Sequence, residues 1–366
     1  MTARYSHSLP YSHPSKSLIT SQDFVKALFA DPEINKTHRL AAINSINFAR
    51  ILAQITYYFS SYLAIIRSSS FVSGATICYA VPTGNFGNIL AGYFAKRMGL
   101  PSAKLVIATN ANDILHRFWQ SGKYEKKHVR GADAAGGLPE DGAQAHEDGV
   151  KETLSPAMDI LVSSNFERLL WYLAYSVYST PSTTTLERRA TAGTRVRSWL
   201  SALKADGGFT VDEAIVAAAR TDFESERVSD EETLVTISAV YNAPSPATAQ
   251  IAAAGTTGAG YILDPHSAVG ITAALRSAAR NPVPTTHHVS LATAHPAKFN
   301  RAVEMALQGA HGFSFDTVLP EEFRGLEDKP RRVTVAKKGE GWEGVRRIVA
   351  AEVEAERAAT EKKGMA

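Results

Sequence analysis

Cysteine is nearly absent from the sequence: of 366 residues, only Cys78 carries a thiol. An internal disulfide and a metal cluster built from several cysteines are therefore excluded for this chain. A fold that does not depend on disulfides is typical of a reducing compartment, and we predict a cytoplasmic protein.

Long apolar runs and an excess of one charge are also lacking. The most apolar stretch, 51–66, is shorter than the ~20 residues of a membrane-spanning helix and is interrupted by Gln54, Thr56 and serines. Lys and Arg number 39 and Asp and Glu number 36, which leaves a net charge of +3. This balance predicts neither a nucleic-acid nor a membrane partner. With 45% hydrophobic and 20% charged residues, the chain has the composition of a folded globular protein.

Sequence character divides the chain into five segments. Residues 1–21 hold no apolar core of a secretory signal and predict a disordered start; an import presequence is the alternative, although it would usually carry more arginine. Residues 121–150 contain six glycines and predict a surface loop without chemistry. Residues 336–366 predict a charged carboxy-terminal helix. Segments 22–120 and 151–335 hold the strand and helix patterns of the folded part.

A strand, a glycine-rich turn, a helix and a second strand follow one another early in the chain. The apolar run at 75–81 predicts a buried strand, a helix follows from Ile89, and 104–109 (KLVIAT) predicts the next strand. This order predicts a βαβ unit, an α/β fold with a parallel sheet, and a ligand site at the carboxyl ends of the strands. Later, YIL at 261–263 and HHVSLAT at 287–293 predict short strands, each followed by a helix.

The turn between the first strand and its helix reads PTGNFGN, at 82–88. Gly84 and Gly87 allow the backbone to approach a ligand closely. The first amides of the following helix lack partners within the helix and, with the helix dipole, suit a phosphate. The turn is neither a Walker A motif nor a dinucleotide-binding GxGxxG. By themselves these residues leave open both a phosphate site and a plain strand–helix turn.

This turn begins a longer stretch, PTGNFGNILAGYFAKRMGLP followed by KLVIATNANDILHRF, that closely resembles the cofactor-phosphate region of fungal threonine synthases. The resemblance extends to DFVKALFADPEIN, NSINFARILAQITYYF, LSPAMDILVSSNFERLLW, DFESERVSDEET, YILDPHSAVG and LATAHPAKF, and covers roughly residues 22–330. Threonine synthases are fold-type II (tryptophan-synthase-β-like) enzymes that depend on pyridoxal phosphate (PLP). They convert O-phospho-L-homoserine and water to L-threonine and phosphate. The resemblance implies this fold, this cofactor and this small-molecule substrate.

The resemblance also assigns cofactor-binding residues. It implies that Gly84, Asn85, Phe86 and Asn88 belong to the loop that holds the PLP phosphate. The family usually has aspartate where this chain has Asn88, so one negative charge beside the cofactor is absent here. It further implies that the hydroxyl of Thr293 meets the pyridine nitrogen, where a neutral partner tunes the ring as an electron sink. The alternative for Thr293 is that it caps the following helix.

Two other polar groups are candidates for the substrate site. Asn44, Ser45, Asn47 and Arg50 precede or open an apolar helix, and the planar fork of the arginine suits a phosphate or carboxylate. Helix capping and a buried structural arginine are the alternative for this group.

The second group lies in LDPHSAVG, where Asp264 and His266 suit acid–base work near a ligand. A histidine that is satisfied by hydrogen bonds at a strand–helix corner is the favoured alternative. His287 and His288 have no carboxylate or cysteine at ligand spacing and predict no metal site.

A further implication of the resemblance is what this chain does not contain. In threonine synthases, the lysine that binds PLP covalently lies in an amino-terminal segment reading approximately Pro-Thr-x-x-Phe-Lys-Asp, and no Phe-Lys-Asp occurs here. The family's Ser-Gly-Asp-Thr-Gly loop, which binds anionic groups of the substrate, is missing too. We therefore expect the carboxy-terminal part of a threonine synthase, from a truncated gene prediction or a fragment, with the amino-terminal part of the fold missing and the isolated chain inactive.

Two alternatives stay open at the level of sequence. One is a catalytically dead paralogue that binds a ligand or pairs with an intact synthase. The other is a threonine-synthase-like enzyme of specialised metabolism that acts on another amino acid phosphate ester.

Overall fold

The computed structural model describes residues 24–25, 27–38, 40, 45–69, 71–126, 144–145, 149–243, 260–326, 328–330, 333–337 and 339–364. The predicted disordered start at 1–21 lies outside these residues, as does most of the predicted loop at 121–150. By their contacts, Met1–Ala42 and Gly325–Ala366 form one unit, and Ile43–Arg324 forms a second. The five-segment division made from sequence character stays a prediction.

Helices and strands alternate through most of the larger unit. The helices are α1 (Pro32–His38), α2 (Phe48–Ile66), α3 (Gly87–Arg97), α4 (Ile114–Ser121), α5 (Phe166–Val177), α6 (Thr185–Ala205), α7 (Glu213–Asp222), α8 (Asp230–Asn242), α9 (Pro265–Arg280), α10 (Asn300–Leu307), α11 (Phe315–Val318) and α12 (Gly341–Gly364). The strands are β1 (Thr76–Pro82), β2 (Ser102–Thr109), β3 (Lys123–Glu125), β4 (Gln144–Ala145), β5 (Lys151–Glu152), β6 (Gly208–Thr210), β7 (Phe223–Arg227) and β8 (Thr286–Ser290). Single 3₁₀ turns occur at Pro156–Met158, Pro296–Lys298 and Glu321–Phe323.

The central sheet has four parallel strands in the order β7-β2-β1-β8. The predicted parallel βαβ unit is confirmed, with β1, α3 and β2 as its parts. The chain moves outward from β1 to β2 and β7 and then returns to the opposite side of β1 as β8. This reversal leaves a crevice at the carboxyl ends of β1 and β8, where open α/β sheets bind their ligands.

Residues of β1 alternate between two buried faces. Tyr79 and Val81 belong to the large core cluster that includes α2, α3 and α5, whereas Cys78 and Ala80 belong to the cluster under α9. Strands that are buried on both faces form a continuous apolar run, and this is why the sequence alone predicts a strand at 75–81. Gly270 lets α9 approach the sheet closely, because a Cβ there would lie 2.5 Å from the hydroxyl of a β8 serine.

The structure corrects three element predictions. Residues 261–263 (YIL) form no strand; they lead directly into α9, whose N-cap is Asp264. Helix α3 begins at Gly87 rather than at Ile89. Within the predicted loop at 121–150, residues 123–125 form β3, which pairs antiparallel with β6. The predicted charged carboxy-terminal helix is confirmed as α12.

The smaller unit contains α1 and α12. Arg346 of α12 pairs with Asp31, at 2.8 Å between Nε and Oδ2, and with Glu33. These ion pairs join the two ends of the unit, which are more than 300 residues apart in sequence. Across the described ranges of both units, no helix is both long enough and apolar enough to cross a membrane.

Candidate active site

A cavity of about 590 Å³ lies at the crevice between β1 and β8. Its walls are the loop that leaves β1, the segment that leaves β8, the first turns of α2 and the 3₁₀ turn before α5. It is lined by Ser45, Arg50, Gln54, Tyr57, Ser61, Pro82, Thr83, Gly84, Asn85, Phe86, Gly87, Asn88, Ile89, Ala157, Met158, His266, Leu291, Ala292, Thr293, Ala294 and Phe299. The structure therefore brings all five predicted cofactor-binding residues to one cavity.

The loop after β1 is held in place by the three residues that precede α5. Ser163 Oγ donates to the carbonyl of Gly84 at 2.9 Å, and Ser164 Oγ donates to Oδ1 of Asn85 at 3.0 Å. The fully buried Asn165 donates through Nδ2 to the carbonyl of Asn85 at 2.8 Å. The sequence analysis gave these residues no role, because nothing in local spacing signals a contact made across 80 residues of chain.

The same loop packs against backbone at Gly84. A Cβ on this residue would lie 3.0 Å from Cα of Met158 and 3.1 Å from the carbonyl oxygen of Ala157. Neither atom is the end of a flexible side chain, so only glycine fits without a shift of one of the two segments.

The segment that carries these two contacts is anchored by Asp159. Its carboxylate accepts hydrogen bonds from Asn110 Nδ2 at 2.8 Å, Thr153 N–H at 2.9 Å and Thr153 Oγ1 at 2.6 Å. Burial raises the pKa of the Asp159 carboxyl to about 6, although these hydrogen bonds act to lower it. Asn110 directly follows β2, so the anchor ties the cavity wall to the end of the neighbouring strand.

Phe86 gives the loop its shape. Among the residues that the structure describes, Phe86 is the one non-glycine residue with a positive φ, which is 61°. It forms the N-cap of α3 but makes no side-chain hydrogen bond there. Its ring is 1% exposed and packs among Trp119, Phe166 and Phe223. The buried ring holds the backbone in the left-handed region, which a bulky residue rarely adopts.

The first turn of α3 presents free donors to the cavity. Leu90 N–H is the first amide to bond back, to the carbonyl of Phe86 at 3.1 Å. In the part of the chain that the structure describes, the N–H groups of Gly87, Asn88 and Ile89 have no hydrogen-bond partner. Three amides without partners at the positive end of a helix match an anionic phosphate. The donor set and the tight backbone cradle at Gly84 therefore fit the phosphate of a cofactor.

Thr293 reaches the cavity from the opposite wall. Its backbone N–H donates to Oγ of Ser267 at 3.1 Å, and Ser267 Oγ in turn donates to Oδ2 of the buried Asp264. The alternative that Thr293 caps the following helical turn is wrong, since His295 is the N-cap there and accepts from the N–H of Ala297 at 3.2 Å. The side chain of Thr293 is exposed to the cavity.

His266 lines the cavity, but both of its ring nitrogens are occupied. Nδ1–H donates to Oδ1 of Asp264 at 2.8 Å, and Nε2 accepts from the N–H of Ala157 at 3.0 Å. Asp264 and His266 are 1% and 3% exposed. The favoured alternative from sequence, a satisfied histidine, is confirmed. Together with Ser267, this pair joins the Ala157 wall of the cavity to the Thr293 wall.

The predicted substrate residues divide into two groups. Ser45 and Arg50 line the cavity, and Arg50 is exposed, so a buried structural arginine is the wrong description. Asn47 instead caps α2, where its side-chain oxygen accepts a hydrogen bond from the N–H of Ala49 at 2.9 Å. For Asn47 the alternative of helix capping is therefore confirmed. Asn44 lies outside the described residues. Gln54, one turn beyond Arg50, also lines the cavity and was missed from sequence.

Comparison with known proteins gives one consistent family. The family profile described as "Threonine synthase, C-terminal" matches residues 267–349. Threonine synthase of Schizosaccharomyces pombe is 46% identical over 311 residues, which are 85% of this chain and 54% of that protein. The crystal structure of threonine synthase from yeast superposes with a TM-score of 0.71 at 42% identity, over 91% of this chain and 57% of that one. The PLP-bound threonine synthase from Brucella melitensis gives a TM-score of 0.56 at 38% identity, over 78% of this chain and 48% of that one.

The parallel sheet, with a glycine-rich loop and a cavity at its reversal point, and these structural neighbours define an α/β protein of the fold-type II class. Within that class, the chain belongs to the threonine synthase family and resembles its fungal members. It spans about half the length of the curated relatives it matches.

Proposed function

We propose that this chain forms part of a PLP-dependent threonine synthase, which converts O-phospho-L-homoserine and water to L-threonine and phosphate. The observation that carries the proposal is a set of three backbone amides without hydrogen-bond partners, at Gly87, Asn88 and Ile89. They lie in the first turn of α3, in residues that line the cavity between β1 and β8. A cytoplasmic location is part of the proposal and is supported by the single cysteine.

The loop amides and the dipole of α3 would bind the cofactor phosphate. Thr293 would face the cofactor ring from the opposite wall, where its hydroxyl offers a neutral partner to the ring nitrogen. When bound, PLP supplies an electron sink for reactions at the substrate's carbon atoms. The hydrogen-bonded pair of Asp264 and Ser267 holds the backbone of Thr293 at this wall of the cavity.

The start of α2 supplies the groups that suit the substrate. Arg50 offers a planar cationic fork for a phosphate or carboxylate, while Ser45 and Gln54 add neutral polar groups to the same wall. The two anionic groups of O-phosphohomoserine match this chemistry.

No lysine occurs among the described residues that line the cavity. We therefore propose that these 366 residues alone bind the cofactor without turning over the substrate. The alternative of a ligand-binding paralogue predicts the same behaviour for the isolated chain.

The test measures release of phosphate and formation of L-threonine from O-phosphohomoserine by the purified chain with PLP. An authentic fungal threonine synthase serves as the positive control, and the chain with Gly84→Ala serves as the cavity control. We expect PLP binding to the chain and a rate indistinguishable from the protein-free reaction. Turnover at the rate of the authentic enzyme would refute the inactivity of the isolated chain, and absence of PLP binding would refute the cofactor site.

A further inference from the structure

The side chain of Asn165 makes hydrogen bonds to two different walls of the cavity. Its Nδ2 donates to the carbonyl of Asn85, in the loop after β1, and to the carbonyl of Ser45, in the segment that leads into α2, each at 2.8 Å. The backbone N–H of Asn165 adds a third bond, to the same Asn85 carbonyl at 3.1 Å. One fully buried amide group therefore joins the proposed phosphate loop to the wall that carries Arg50.

This use of the Asn165 side chain replaces the one that its position favours. Asn165 is the N-cap of α5, where an asparagine oxygen usually accepts a hydrogen bond from the first turn of the helix. Here the side chain makes no such bond, and Oδ1 is buried without a partner among the described residues. An unpaired buried acceptor costs free energy. The two carbonyls, and not the helix, therefore determine the orientation of the amide.

Arg168, one turn further along α5, contacts only one of the two walls. Its Nη2 donates to the carbonyl of Ile46 at 2.9 Å, and its guanidinium carbon lies 5.5 Å from the centre of the Phe48 ring. Both contacts fall on the segment 45–48 that begins α2. Helix α5 thus holds this segment through two residues, of which Asn165 also holds the loop after β1.

We propose that Asn165 is a positioning residue for both ligands of the cavity, because it holds the phosphate loop and the substrate-facing start of α2 in one fixed relation. The inference rests on the proposed function and goes beyond it, since Asn165 is not among the described residues that line the cavity and acts through its neighbours. Asn165→Asp exchanges only the NH₂ group and keeps a residue type that suits an N-cap. Its carboxylate would face two carbonyl oxygens without a proton to donate, and would repel both walls.

Two further variants separate this role from a general effect on folding. Arg168→Met removes the bond to Ile46 and leaves the bonds of Asn165 in place. Asn242 also donates through Nδ2 to a main-chain carbonyl, that of Ser238 at 2.9 Å, but it is exposed and outside the cavity lining. Asn242→Asp therefore makes the same chemical change as Asn165→Asp without touching either wall.

The experiment is a calorimetric titration of the full chain with two ligands in turn. The first is pyridoxine 5′-phosphate, which has the cofactor's ring and phosphate but cannot react with a lysine, and the second is O-phospho-L-homoserine in its presence. We expect Asn165→Asp to weaken the binding of both by about tenfold or more. Arg168→Met should weaken the second by about threefold or more and leave the first within twofold. Asn242→Asp should leave both within twofold.

The outcomes distinguish this inference from the proposed function. Failure of the unaltered, folded chain to bind either one of the two ligands overturns the proposed function and this inference with it. If the unaltered chain binds both, and folded Asn165→Asp keeps its affinity for one or both of them, the positioning role is wrong and the proposed function stands. Equal losses for both ligands in Arg168→Met would also overturn the positioning role, because any loosening of α5 would then have the same effect.

A purely structural role of Asn165 makes a different prediction. It predicts that Asn165→Asp lowers the urea midpoint and leaves the affinities of the folded chain unchanged. Far-ultraviolet circular dichroism establishes that the affinities compare folded proteins. If Asn165→Asp does not fold, Asn165→Ser is judged by the same criteria, since its single hydroxyl proton suits an N-cap but cannot bond to both carbonyls.

Discussion

Phe86 is a bulky residue whose backbone lies in the left-handed region. We therefore expect its glycine and alanine variants to differ in stability in the opposite order from the usual one. At most buried sites, glycine destabilises a protein more than alanine because it has more backbone freedom to lose on folding. At Phe86 the backbone φ is 61°, where a Cβ is itself unfavourable. We therefore predict that Phe86→Gly is more stable than Phe86→Ala.

The magnitude follows from two terms. Removing the ring, which is 1% exposed and packs on Trp119, Phe166 and Phe223, costs about 3–5 kcal/mol in either variant. The alanine variant still pays the left-handed penalty of about 1–2 kcal/mol, which the glycine variant does not. Part of this advantage of glycine is offset by the larger backbone entropy that glycine loses on folding. The net advantage of glycine over alanine is about 1 kcal/mol.

Urea unfolding of the unaltered chain and both variants measures this difference, with tryptophan fluorescence and circular dichroism as two probes. Coincident transitions by the two probes establish that the midpoints report one cooperative unit. A Phe86→Ala chain at least as stable as Phe86→Gly would contradict the argument, because it would mean that the ring does not hold the backbone in an unfavourable region.

Two further predictions concern the walls of the cavity. Gly84→Ala brings a Cβ to 3.0 Å from Cα of Met158. It should lower the free energy of unfolding in urea by about 1–3 kcal/mol and weaken the binding of pyridoxine 5′-phosphate. An unchanged free energy of unfolding together with unchanged affinity would contradict the tight packing at Gly84. Burial raises the pKa of Asp159 from 3.8 to about 6, so between these values the folded chain keeps a proton that the unfolded chain has lost. Raising the pH from about 4 to about 6 should therefore destabilise the chain through this group by about 2–3 kcal/mol. Comparing urea midpoints with Asp159→Asn across that range checks the sign, and equal pH slopes for the two proteins would count against it.

The parts of the fold that local sequence determines were predictable. Apolar runs such as 75–81 and 104–109 and the glycine-rich turn between them each act over a few residues, and β1, α3 and β2 follow from them. Residues 261–263 show the limit of this method. Three apolar residues have no period of their own, and here the capping of α9 by Asp264 determines the conformation of the segment.

The candidate site was predictable where its residues lie in recognisable short motifs, which include the loop after β1, the segment with Thr293 and the start of α2 with Ser45 and Arg50. Gly84 to Asn88 are contiguous, but Ser163–Asn165, Met158, Gln54 and Tyr57 come from separate elements that the fold brings together. Their roles depend on tertiary contacts, which spacing along the chain does not encode. Asn47 shows the converse, since a polar residue next to a site can be fully used by the first turn of its own helix.

Topology explains why these distant segments meet at one cavity. Because β8 returns to the opposite side of β1, the loops that leave the two strands diverge at their carboxyl ends and leave space between them. The loop after β1 fills one side with helix-end amides, and the segment after β8 fills the other with Thr293. Asp264, at the start of α9, is linked through His266 to Ala157 and through Ser267 to the backbone of Thr293. A single buried carboxylate therefore connects the Thr293 wall to the segment against which Gly84 of the loop after β1 packs.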